Sequence, residues 1–120
     1  MIDAERRRLF ELHAEICKAL SNSKRLEIVY HLRDGEKSVD ELSQLMEMAK
    51  SNLSQHLGVL RQRRLVQTRR EGPSVYYRLS SPKVLDACEI LGEVLLDSLK
   101  RDQEFVSILK KVEVRPERRK

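Results

Sequence analysis

Apolar residues recur at helical spacing through most of this chain, and strand-like composition is confined to one stretch. Val39, Leu42, Leu45 and Met46 mark the core face of a short helix, and Leu53, Leu57 and Leu60 mark a second one a few residues later. The first helix is expected to start at Ser38, whose hydroxyl can cap free backbone N–H groups while Glu41, three residues on, reaches back in a capping box. Outside the leucine stripe of the second helix lie Lys50, Ser51, Asn52, Ser54, Gln55 and His56. Short hydrogen-bonding side chains at a helix start suit the second helix of a helix-turn-helix, whose first residues meet base edges in the major groove. An ordinary helical hairpin with a solvated polar face would carry the same pattern.

The next segment favours the first reading. Leu65, Val66 and Thr68 have strand composition, Arg69-Arg70-Glu71 leads into Gly72-Pro73-Ser74, and Val75-Tyr76-Tyr77-Arg78-Leu79 returns as a β-branched and aromatic strand. The expected element is a two-stranded wing with a charged tip, leaning on the helices because a lone hairpin is marginal. Beside the second helix, Arg69, Arg70 and Arg78 become candidate contacts to phosphates or a minor groove.

Two further stripes flank this module. Leu9, Leu12, Ile16 and Leu20 precede it, with another helix from Leu26 to Leu32 in between; Val84, Leu85, Cys88, Leu91, Val94, Leu95, Leu96 and Leu99 follow it. The last helix carries more apolar surface than one small core can cover. The expected fold is therefore mainly α with a two-stranded β-wing, a winged helix-turn-helix that dimerises through its first and last helices. Twofold symmetry would set two recognition helices one duplex turn apart, roughly 34 Å. A longer intramolecular core, and a monomer, is the competing reading.

Composition narrows the class. A length of 120 residues with 40% hydrophobic and 36% charged positions suits one domain, expected over residues 1–109, followed by an unstructured basic tail over 110–120 that is at most an auxiliary DNA contact. The net charge of +5 is unevenly spread. Lys50 to Arg78 holds seven basic residues and one acidic, Lys110 to Lys120 holds six and two, and the remainder holds 11 and 16. That concentration is what a phosphate-binding face requires. No apolar run approaches the roughly 20 residues of a membrane span, and the first residues lack a signal-peptide core, which points to a cytoplasmic protein without a membrane partner. Catalysis is not expected: there is no Gly-rich phosphate loop and no nucleophile-base motif, and His13, His31 and His56 fall on separate helices without a carboxylate to orient them. A protein-interaction adaptor remains the rival class, separable because only DNA binding releases counterions.

Three segments in order carry a family resemblance: Ala19-Leu20-Ser21-Asn22-Ser23-Lys24-Arg25-Leu26-Glu27-Ile28, then Leu42 through Ser54-Gln55-His56-Leu57-Gly58-Val59-Leu60-Arg61, then Arg69 through Leu79. Together they resemble the ArsR/SmtB family of bacterial and archaeal winged helix-turn-helix repressors. The resemblance implies a homodimer on an inverted-repeat operator in double-stranded DNA, released by a metal ion, a metalloid or a redox signal. It assigns the DNA face to Lys50, Ser51, Asn52, Ser54, Gln55 and His56, and backbone contacts to the wing arginines. Three positions depart from the family pattern: Ala49 replaces a capping Ser or Thr, Glu47 a turn Gly, and Arg64 a helix-ending Gly.

The inducer is less constrained. The family's Cys-x-Cys metal box is replaced by Asp40-Glu41-Leu42-Ser43, and the positions of its paired-helix zinc site read Asp86, Cys88, Leu99 and Asp102, where Leu99 cannot coordinate. The positions at which a redox-sensing branch pairs cysteines read Tyr30 and Leu96. What remains is Cys17 on the first helix and Cys88 on the last, with His13 one turn before Cys17. These could supply soft ligands to zinc, cadmium or arsenite, form a disulfide or polysulfide bridge if their α-carbons approach within about 7 Å, or be inert apolar packing.

Overall fold

Along the described residues, 1–112 of a computed structural model, the chain forms α1 (Ala4–Leu20), α2 (Ser23–His31), β1 (Lys37–Ser38), α3 (Val39–Met46), α4 (Lys50–Gln62), β2 (Val66–Glu71), β3 (Ser74–Leu79), α5 (Pro82–Leu99) and α6 (Gln103–Lys111). Met1–Pro82 form one compact unit, and Lys83 onward, with α5 and α6, a second.

In the first unit the local signals act as their chemistry dictates. The Ser38 hydroxyl accepts from the Glu41 backbone N–H while the Glu41 carboxylate accepts from the Ser38 N–H, both at 3.0 Å, so the expected capping box starts α3. Asn22 caps α2 in the same way, its side chain accepting from Lys24 and Arg25. Leu42 and Met46 of α3, Leu53, Leu57 and Leu60 of α4, Ile28 and Val29 of α2, and Leu32 just after α2 fill the core. Leu45, expected there, is 51% exposed. On a helix of eight residues, Leu42 and Met46, four apart, define the buried line, and Leu45 falls beyond its edge.

The wing has one more strand than expected. β2 and β3 pair antiparallel from Val66↔Leu79 to Glu71↔Ser74, and β1 adds Lys37↔Tyr77 and Ser38↔Tyr76, giving the order β1-β3-β2. A two-residue strand leaves no periodicity in the sequence. It matters because it fastens the hairpin to the start of α3, the support that a bare ribbon lacks.

Two turns are held by non-glycine residues in the left-handed region, Glu47 at φ 51° and Arg64 at φ 61°, at two of the positions where the sequence departs from the family pattern. Such residues carry a conformational cost of roughly 1–2 kcal/mol, part of which a glycine would lose again in chain entropy. Arg64→Gly is therefore expected to raise stability by up to about 1 kcal/mol and to leave DNA binding unchanged, checked by urea unfolding and a binding titration.

On α1 the expected stripe lies open: Leu9, Leu12 and Ile16 are 56%, 47% and 38% exposed. Within the second unit, Leu91, Val94 and Leu95 of α5 are likewise exposed. The expected tail boundary at residue 110 shifts, since α6 runs through Lys111; the remaining basic segment, 113–120, lies outside the described residues.

Candidate nucleic-acid interface

The site is built on α4. Its three leucines, Leu53, Leu57 and Leu60, are wholly buried, which fixes the helix by one face and turns Lys50, Ser51, Asn52, Ser54 and Gln55 to solvent. Among the described residues, no side-chain partner holds Ser51, Asn52, Ser54 or Gln55. A row of donors and acceptors with no intramolecular use is available to a ligand. Lys50 pairs with Asp40, but both side chains are about two-thirds exposed, so the pair is weak.

The turn into α4 has no side-chain cap at Ala49. Ser43 braces the turn in a different way, its hydroxyl donating to the Met48 carbonyl at 2.6 Å, which leaves the first N–H groups of α4 without a side-chain cap. A cleft of about 320 Å³ opens where the start of α3 (Ser38, Asp40), the start of α4 (Lys50, Ser54) and the wing tip (Pro73, Ser74) converge. The helix and the wing thus border one concave surface, the layout expected for a groove reader and its flanking arm.

The wing arginines are not equivalent. Register places Arg69 opposite Tyr76 and Arg70 opposite Val75, hence on opposite faces of the ribbon. Arg69 is engaged: it donates to both carboxylate oxygens of Glu36 at 2.6 and 3.1 Å and to Glu71 at 3.2 Å, and its guanidinium stacks 4.6 Å from the centroid of Tyr76. The hydrogen bonds from Arg69 hold the Glu36 carboxyl below the usual carboxylate range, and the two carboxylates in turn push Arg69 up. Because the carboxyl is lowered, this clamp is complete at neutral pH and is lost as pH falls through that lowered range. Arg69, expected as a phosphate contact, is thus tied across the sheet through partly exposed pairs. Arg70 is exposed with no partner among the described residues. Arg78 donates from Nε and Nη2 to the Gln67 side-chain oxygen and keeps its full charge, since the partner is neutral. Sequence reasoning missed Glu36 because it stands outside the hairpin, two strands from Arg69; only the register of β1 could have revealed it.

His56 also departs from expectation. It is half-buried, and its Nδ1 lies 3.2 Å from Nη1 of Arg25 on α2. It belongs to the edge of the α4 face rather than to its open row.

The thiols are free: Cys17 is exposed on α1 and Cys88 half-buried on α5. Burial, with the neighbouring Glu89 carboxylate, pushes the Cys88 thiol up. Among the described residues, no three His, Cys, Asp or Glu side chains form a metal-ligand group. No helix among those residues is long and apolar enough to cross a membrane.

A helix pair with an open polar row on its second member, followed by a supported hairpin, defines a winged helix-turn-helix. Residues 22–68 match the profile of the bacterial regulatory protein, arsR family. The transcriptional activator HlyU of Vibrio cholerae is 47% identical over 76 residues, covering 63% of this chain and 70% of that one. A biofilm growth-associated repressor of Xylella fastidiosa is 44% identical over 70 residues, covering 58% and 61%. The homodimeric winged helix-turn-helix DNA-binding domain of a possible ArsR-family transcriptional regulator from Mycobacterium bovis superposes with a TM-score of 0.75 at 29% identity, covering 84% of this chain and 94% of that one. This chain belongs to the ArsR family, whose members are DNA-binding transcription regulators and not enzymes.

Proposed function

We propose that the chain is a homodimeric repressor that reads an inverted-repeat operator with α4 of each copy and leaves it when a signal reaches its thiols. The observation that carries the reading is the open row Ser51, Asn52, Ser54 and Gln55 on a helix whose other face is wholly buried leucine. Exposed apolar stripes on α1 and α5 support self-association, as does the homodimeric relative. Repression needs only occupancy of promoter DNA and no further surface; the Xylella relative is named a repressor, the Vibrio relative an activator.

A footprint on the promoter DNA adjoining the chain's own gene tests the reading, with a twofold protected region as the expected result. Within that assay, Gln55→Ala should weaken operator binding by about 1–3 kcal/mol while leaving random DNA nearly unaffected. Arg70→Ala should weaken both and lower the salt slope by about one per protomer. Equal losses for Gln55→Ala on the two duplexes would refute base reading.

For the signal, Cys17 is the accessible thiol, whereas Cys88, its thiol pushed up by burial, is the slower nucleophile. The sequence this favours starts at Cys17, which peroxide would take to a sulfenic acid or a polysulfide to a persulfide with loss of the shortened polysulfide; attack by the Cys88 thiol on that sulfur would then form the disulfide and release water or hydrosulfide. Cys17→Ser and Cys88→Ser should each keep operator affinity and abolish release by polysulfide or peroxide. Release by arsenite or zinc that survives both substitutions would place the signal elsewhere.

A further inference from the structure

His56 is the one reading-helix side chain with a neighbour that dictates its chemistry. Arg25 spans three helices: its Nε donates to the Ala19 carbonyl at the end of α1, its own backbone N–H is capped by Asn22 at the start of α2, and its Nη1 meets His56 Nδ1 on α4. A guanidinium has only donors, so Nδ1 must be the acceptor and the neutral ring must carry its hydrogen on Nε2. Among the described residues, Nε2 has no partner. A neutral histidine can otherwise present either nitrogen as a donor, and that ambiguity blurs recognition.

We propose that Arg25 is a positioning residue that locks His56 in the Nε2–H tautomer, making it a dedicated hydrogen-bond donor to an acceptor on duplex DNA. The proposal rests on the reading of α4 as the DNA face. Two sources could supply the acceptor, a phosphate oxygen or a base edge such as guanine O6 or N7. In either case the arginine acts without touching DNA. Nothing local in the sequence signals the pair, whose members stand 31 positions apart.

The test uses the full chain, the duplex that it protects in a footprint, and a random duplex of equal length. Long-range proton–nitrogen correlation spectra of the free protein should show His56 with Nε2 protonated and Nδ1 bare, and Arg25→Gln should give mixed tautomers. His56→Asn keeps an acceptor near the Nδ1 position for Arg25 and removes only the Nε2 donor, so it preserves the helix tie if Arg25→Gln fails to fold. It should weaken binding about fivefold, and Arg25→Gln should weaken it by a similar factor, with the double variant little worse than either. Loss confined to the protected duplex identifies a base edge; equal loss on both identifies a phosphate. A wild-type ring protonated on Nδ1, or variants that bind both duplexes like the wild type, overturns the proposal. If the wild type protects no duplex, the DNA reading itself fails, and the tautomer spectra still decide whether Arg25 sets the ring.

Discussion

Glutamate at both Leu91 and Leu95 is expected to leave a monomer that binds its operator about 10²- to 10⁴-fold more weakly than the wild type. The two leucines are 68% and 57% exposed on α5, so neither substitution removes a contact from the chain's own core. A specific protein–protein interface buries roughly 800 Å² per partner, and a carboxylate facing its own symmetry mate at the centre of such a surface is both desolvated and repelled. Once the copies separate, the second half-site is no longer met at the millimolar effective concentration that a tethered partner provides. The checks are sedimentation equilibrium for the assembly, far-ultraviolet dichroism for the fold, and titration of full and half operators. The monomer should bind a half operator as the wild type does once protein concentration is matched, because its reading helix is untouched. A variant that stays dimeric would move the interface away from this part of α5.

How far the sequence foretold this site depends on the range of the interaction involved. The capping box of Ser38 and Glu41, the buried line of Leu53, Leu57 and Leu60, and the open polar row of α4 all follow from spacings of three and four residues, which helix geometry converts directly into faces. Glu47 and Arg64 were legible only as replacements of family glycines; that both hold the left-handed conformation was not, because a different turn could have served. What escaped was tertiary. Arg69 belongs to a charged run that composition assigns to phosphate, yet β1 brings Glu36 across the sheet to pair with it. His56 sits among exposed polar residues in sequence and is claimed by Arg25 from another helix. In each case a partner outside the local motif changes what the side chain can offer: Arg69 is paired across the sheet while Arg70 has no partner among the described residues, and His56 has one ring nitrogen engaged and the other open.

Leu57→Ala is expected to destabilise the winged unit by about 2–5 kcal/mol and to lower its melting temperature by about 10 °C or more. Leu57 is fully buried midway between Leu53 and Leu60, the other pegs of α4. Truncating it removes the transfer free energy of the side chain and opens a void that a small, close-packed core closes only in part. Against a total stability of about 5–15 kcal/mol for a domain, that loss is a large share. Its functional consequence differs from that of a surface change: well below the melting temperature the folded fraction should still bind, but α4 loses the peg that sets how the row from Ser51 to Gln55 faces outward, so operator preference should fall more than affinity for random DNA. Leu45→Ala is the matched control, removing the same atoms from a side chain that is 51% exposed and costing less than about 1 kcal/mol because little water is readmitted. Thermal melts followed by dichroism, paired with operator and random-duplex titrations at low temperature, separate the two effects. Equal melting shifts for Leu45→Ala and Leu57→Ala would mean that α4 is not anchored through its leucine face.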